Sequence, residues 1–262
     1  MPSQPEITLY WLESTRCIRI LWLLNELGLD YTIVPYDKKG SVMAPKELYQ
    51  HHPLGKAPIL ELKYDDERGN ITLVESGHII NYMLKWFDLE KKFIPVTEEG
   101  ERSMDYFLHF AEGTMQPPLT YQFYLTRLIP ESKQLPESFR ENYAKYQEYI
   151  DEVYTFPKLE EYSLYLEKLL REQKEKNGGA EKVYFVEDKL TGADLALGFE
   201  AATSLFGNPL YRHITDPKRV PLLASWVKYA VFDRPAYKEA VEAEKSIVDG
   251  GFKVLKIDQH GH

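Results

Sequence analysis

His51-His52-Pro53-Leu54-Gly55-Lys56-Ala57-Pro58-Ile59-Leu60-Glu61-Leu62 decides how the rest of this chain is read. Leu54-Gly55-Lys56-Ala57-Pro58 has the chemistry of a loop, whereas Ile59–Leu62 reads as a strand. A proline cannot donate to a sheet ladder, so Pro58 belongs at a strand start or edge. A cis Ala57–Pro58 bond turns the chain tightly and aims the Ala57 N–H and C=O into the space before the sheet. Such an exposed peptide is a short strand edge with which an extended peptide can pair.

Toward the N-terminus, Ile7–Leu12 is an apolar run that predicts a buried strand. Glu13-Ser14-Thr15-Arg16 breaks it, with Ser/Thr chemistry suited to cap the next helix. In that helix Ile18, Leu21, Trp22, Leu24, Asn25 and Leu27 follow a 3.6 period, and Gly28 is the stop. Tyr31–Tyr36 is the second strand, and the β-α-β connection predicts parallel pairing with a right-handed crossover. Ala44–Gln50 reads as a short helix. Pro58–Lys63 and Ile71–Val74 flank a polar, turn-rich loop and predict an antiparallel hairpin. Glu75–Phe87 closes the unit as a helix with Ile79, Ile80, Met83, Leu84 and Phe87 on one face. Residues 1–88 therefore read as a β-α-β-α-β-β-α domain.

Beyond Asp88 the strand signals stop. Residues 89–100 form a charged connector carrying Pro95, and residues 101–262 read as all helical. Arg102–Leu128 should be kinked or ended by Pro117-Pro118. Further helices are expected from Pro136, from Pro157, and over Thr191–Phe206, Val220–Phe232 and Pro235–Ser246. The polar tail with His260 and His262 is expected to be disordered. The fold class is α/β plus all-α.

A formal charge of −9 argues against nucleic acid or an anionic membrane as the main partner. No apolar run approaches the ~18 residues of a membrane span. The N-terminal residues lack the basic and apolar regions of a secretory signal. The single cysteine excludes an internal disulfide and fits a reducing compartment, so the expected location is cytoplasmic.

The two-domain order and four local motifs resemble the glutathione S-transferase superfamily. Thr15-Arg16-Cys17-Ile18-Arg19-Ile20-Leu21-Trp22-Leu23-Leu24-Asn25-Glu26-Leu27-Gly28 is similar to the S-R-x-x-R-x-x-W-L-L-x-E-L-G opening of its fungal and bacterial branch. Pro53–Pro58 and Glu75-Ser76 match two further motifs. Glu112-Gly113-Thr114-Met115-Gln116-Pro117-Pro118-Leu119 resembles an E-G-S-x-x-P-L segment of the fungal branch. The resemblance covers nearly the whole chain and implies a thioredoxin-like first domain and a helical second domain. It also implies glutathione as co-substrate with no other cofactor and no metal, a homodimer, and detoxification of apolar electrophiles, with peroxide reduction as a side activity.

Glutathione presents two carboxylates, an ammonium, two amides and a thiol. At a helix N-terminus, the Ser76 hydroxyl and N–H suit the γ-glutamyl carboxylate, with Glu75 beside it for the ammonium or the carboxylate's hydrogen-bond network. The plainer role for Ser76 is an N-cap. The Ala57 peptide before Pro58 would pair with the cysteinyl backbone, and Lys56 and His52 would meet the glycine carboxylate. Lowering a thiol pKa from ~8.5 to near neutrality needs ~2 kcal/mol of preferential thiolate stabilisation, which one well-aimed hydroxyl can supply. Ungapped matching places Thr15 where the motif has its Ser, with Ser14 or Tyr10 as other donors. Cys17 lies near a helix N-terminus with Arg16 and Arg19 close, conditions that lower a thiol pKa. As a nucleophile it would imply glutathione-disulfide exchange instead, but it falls two residues beyond the expected reactive position and lacks a neighbouring Pro, so the favoured reading is a buried bystander. Tyr10, Tyr106, Phe110, Thr114 and Tyr121 are the expected lining of an electrophile pocket, against the plain alternative that aromatic stripes at helical spacing are core. Asp194, three after Thr191, is assigned to a reciprocal helix cap. The opposing class is a non-catalytic module that binds glutathione or a protein partner.

Overall fold

The computed structural model describes residues 4–39, 41, 43–128 and 136–260. The chain divides into two compact units, Met1–Ile94 together with Asp233–His262, and Pro95–Phe232. His262 lies outside the described residues.

In the first unit, strands β1 (Glu6–Leu12), β2 (Tyr31–Tyr36), β3 (Ile59–Lys63), β4 (Asn70–Val74) and β5 (Leu255–Ile257) form one sheet in the order β4-β3-β1-β2-β5. β1 and β2 pair in parallel around helix α1 (Cys17–Glu26), as a β-α-β connection requires. β3 and β4 are the expected antiparallel hairpin. Helix α2 (Ser76–Phe87) follows β4 directly. Alternation sorts β1: Ile7, Leu9 and Trp11 are buried, while Thr8 and Tyr10 on the other face are half-buried. Between β2 and β3 the expected helix is one short 3-10 segment, Lys46–Gln50, whose Leu48 packs with Leu12 and Ile59. This is a thioredoxin-like α/β unit.

The C-terminal residues depart from the sequence reading. Helix Pro235–Asp249 packs along α1, and β5 adds antiparallel to the free edge of β2, so both belong to the first unit rather than to a helical domain over 101–262. Trp22 meets Tyr237 edge to face, Asn25 Nδ2 donates to the Ala236 carbonyl at 3.0 Å, and Arg234 grips Glu26 through two donors. The Gln259 N–H reaches Asp30 at 2.7 Å, so the tail through His260 is built structure and not a disordered end.

The second unit is helical. Glu98–Phe110 begins at Thr97, whose hydroxyl accepts from Gly100 N–H. Pro117 and Pro118 do not break a running helix. A wide π turn at Ala111–Met115 joins Glu98–Phe110 to Gln116–Phe123 without leaving helical backbone, and its widened spacing absorbs the N–H bonds that the prolines cannot make. Asp194 accepts Thr191 N–H and Trp226 Nε1–H, each at 2.8 Å, which is the expected cap extended into the core.

Candidate functional site

Register brings three segments to one end of the sheet. Tyr10 pairs with Ile59, and Ile59 with Val74. Beyond those pairs, β1 runs through Trp11 and Leu12 to Glu13–Arg16, Pro58 precedes β3, and Glu75-Ser76 follows β4. The hydroxyl pair, the strand-mouth proline and the start of α2 are therefore neighbours although they lie far apart in sequence. The Ala57–Pro58 peptide is cis.

Ser76 is 3% exposed at the first position of α2, and Arg19 Nη1 donates to its Oγ at 2.7 Å. Free N–H groups and the helix dipole make this end attractive to an anion. Glu75 before it holds φ +65°, the left-handed region that a glutamate occupies only when its surroundings demand it. Its side chain stays exposed.

In the 51–58 loop, His52 Nδ1 accepts Leu54 N–H at 3.3 Å, which leaves Nε2–H as the donor on this ring. Lys56 is exposed and Ala57 half-buried. Gly55 holds φ +56° beneath the Tyr49 ring, where a Cβ would come within 2.8 Å.

At the β1–α1 turn the two hydroxyls differ. Thr15 Oγ1 donates to the Leu12 carbonyl at 2.7 Å and accepts Cys17 N–H at 3.3 Å, so its proton is spent locally on shaping the turn. Ser14 is exposed with φ +56°, and its hydroxyl makes no hydrogen bond among the described residues. Cys17 is fully buried, and burial pushes its thiol up to about 12, against the lowering expected from its basic neighbours. That burial matches the bystander position favoured from the sequence.

The Tyr10 hydroxyl donates to Glu61 at 2.6 Å, its ring stacks on His51 at 3.6 Å between centroids, and burial followed by Glu61 raises its pKa. It packs with Tyr36, Ala57 and Val74 against Leu12, Leu48 and Ile59, so its hydroxyl proton is already engaged. In the second unit Phe110 is 7% exposed among Phe107, Tyr162 and Tyr165, a core position. Tyr106 keeps 44% of its surface and bonds Tyr165 through its hydroxyl. Thr114 is half-buried in the π turn, and Tyr121 is exposed beside Tyr154.

Two interior polar contacts were not read from the sequence. Arg19 was visible as a charge inside an apolar stripe, Ile18-Arg19-Ile20-Leu21. Glu244, which accepts Trp11 Nε1–H at 2.8 Å, carries no local signal because its neighbours come from the other end of the chain. Among the described residues no cluster of three or more His, Cys, Asp or Glu is arranged to hold a metal. No described helix is long and apolar enough to cross a membrane.

Residues 5–85 match the glutathione S-transferase N-terminal domain family. Over 245 residues the chain is 29% identical to glutathione S-transferase 1 of Saccharomyces cerevisiae, covering 94% of this chain and 98% of that protein. Over nearly its whole length the chain is similar to glutathione S-transferases, and residues 5–85 carry the match to their N-terminal domain. A solved glutathione S-transferase from Actinobacillus pleuropneumoniae is 28% identical, with TM-score 0.62 over 90% of this chain and 92% of its own. Ure2p5 of Phanerochaete chrysosporium, cocrystallised with 1-(S-glutathionyl)-2,4-dinitrobenzene, shares the fold at TM-score 0.68. It is 22% identical over 94% of this chain and 98% of its own.

Proposed function

We propose that this chain is a glutathione transferase that binds glutathione along the 57–76 hairpin and adds its thiolate to small, largely apolar electrophiles. The observation that carries this reading is the convergence, at one sheet end, of the cis Ala57–Pro58 peptide, the α2 start at Ser76 and the unspent Ser14 hydroxyl. Ser76 and the first N–H groups of α2 hold the γ-glutamyl carboxylate, and Glu75 holds the ammonium. The Ala57 peptide pairs with the cysteinyl backbone, and Lys56 with His52 Nε2–H meets the glycine carboxylate. Of the two hydroxyls, Ser14 is the sulfur donor, because the Thr15 proton already goes to Leu12. Tyr106, Thr114 and Tyr121 retain side-chain surface for an apolar partner, whereas Phe110 serves packing. The buried, unreactive Cys17 supports conjugation over disulfide exchange, with peroxide reduction by the same thiolate as a side activity. The protein acts as a cytoplasmic homodimer in detoxification.

Calorimetry with glutathione, followed by a thiolate absorbance titration of the complex and conjugation to a chlorinated dinitrobenzene, tests this. Ser14→Ala should raise the titration midpoint by ~1.5 units with binding retained, and Thr15→Val should leave it in place. Glutathione binding without turnover of any electrophile or peroxide would instead make the chain a binding module.

A further inference from the structure

Three hydroxyls of this chain donate to the carbonyl four residues back. Ser163 donates to Leu159, Thr126 to Gln122 and Thr215 to Tyr211. Ser76 does otherwise. Its Oγ meets Arg19 Nη1 at 2.7 Å, and guanidinium has donors but no acceptor, so Ser76 accepts in this bond. Its own proton has no acceptor among the described residues. Arg19 is 1% exposed, on an α1 that is buried from Cys17 to Asn25 and packs against α2. An interior cation therefore stands directly behind the first hydroxyl of α2.

We propose that Arg19 is a positioning residue for carboxylate binding at Ser76. It pins one lone pair of Oγ, so the hydroxyl proton points away from α1 toward an incoming carboxylate. A hydroxyl accepting from a cation is also the better donor, since bonds in a chain polarise one another. The buried charge adds to the positive end of α2. The inference rests on the reading of Ser76 as the γ-glutamyl clamp, and it assigns the orientation of that clamp to a side chain that never touches the ligand.

A double-mutant cycle on the full chain, read by glutathione calorimetry, tests it. Ser76→Ala should weaken binding ~10- to 100-fold, matching the loss of a hydrogen bond to a charged group. Arg19→Met should weaken it about tenfold, and the double variant should bind within about twofold of Ser76→Ala. In turnover, Arg19→Met should raise the KM for glutathione with kcat and the pH profile unchanged. Arg19→Lys, which keeps a buried donor and protects the fold, should lose about threefold, and that loss should vanish in the Ser76→Ala background. Losses that multiply in the double variants, or an Arg19→Met as tight as wild type, would overturn the positioning role. If Ser76→Ala itself binds as wild type does, the clamp reading fails first, a distinguishable result.

Discussion

Replacing Glu244 by glutamine should stabilise the protein above neutrality and do little in acid. Glu244 lies on the Pro235–Asp249 helix with its carboxyl largely buried against Trp11, whose indole N–H it accepts. Burial first, with repulsion from Glu13 behind it and the Trp11 bond opposing, pushes it from 4.5 up to about 7. A carboxyl raised in the folded state holds its proton there after the unfolded chain has lost its own. Its effect on stability is thus absent below pH ~4.5, becomes increasingly unfavourable as pH climbs, and is complete above ~7. The full shift corresponds to ~3 kcal/mol, which solvent at this half-buried residue reduces to ~2. Glutamine keeps an oxygen for Trp11 and removes the titration. Urea unfolding of both proteins at pH 5 and pH 8.5 reads the difference. The variant should exceed wild type by less than ~1 kcal/mol at the lower pH and by ~2 at the higher. A difference that does not change with pH, or a variant weaker at pH 8.5, would mean that the carboxylate is ionised and well paired, and would refute the argument.

Cys17→Ala should leave conjugation within twofold of wild type, and alkylation of the native thiol should be slow until denaturant is added, because the group is fully buried and about 12. Truncation after Gly250 should cost ~2–4 kcal/mol, seen as a lower melting temperature, since it uncovers the β2 edge and removes the Gln259–Asp30 bond; an unchanged melt would make β5 an ornament. Gly55→Ala should cost ~1–2 kcal/mol from its left-handed backbone, with glutathione binding weakened more than stability because the strain falls on the His52–Pro58 loop. Combining it with Tyr49→Ala removes the overlying ring, so a full rescue would show that crowding, not backbone, was the cause.

Local chemistry made much of the first unit legible. Pro58 marked a strand mouth, the 3.6 period of Ile18–Leu27 marked α1, and Thr191 with Asp194 marked a cap. What the sequence could not tell was which partner a polar atom would choose. Motif matching favoured Thr15 over Ser14, and only the turn geometry sends the Thr15 proton to Leu12. Residue type alone could not separate pocket from packing: Tyr10 stacks on His51, and Phe110 is buried by helical packing. Leu255–Ile257 is too short to announce itself, and becomes a strand only because the β2 edge was there to receive it.

Because Asp233–His262 returns to the unit begun by Met1–Ile94, the helical unit is an insertion in the middle of the other one. During synthesis the β2 edge, Trp22 and Glu26 leave the ribosome long before the residues that cover them, and everything from Pro95 to Phe232 must be made in between. Closing so long a loop is entropically cheap per added residue, yet it cannot begin until the last segment exists. The nascent first unit therefore waits with an open strand edge and an unsealed helix face. Chaperone dependence of this protein should track translation of residues past Asp233 rather than completion of the thioredoxin-like sequence itself.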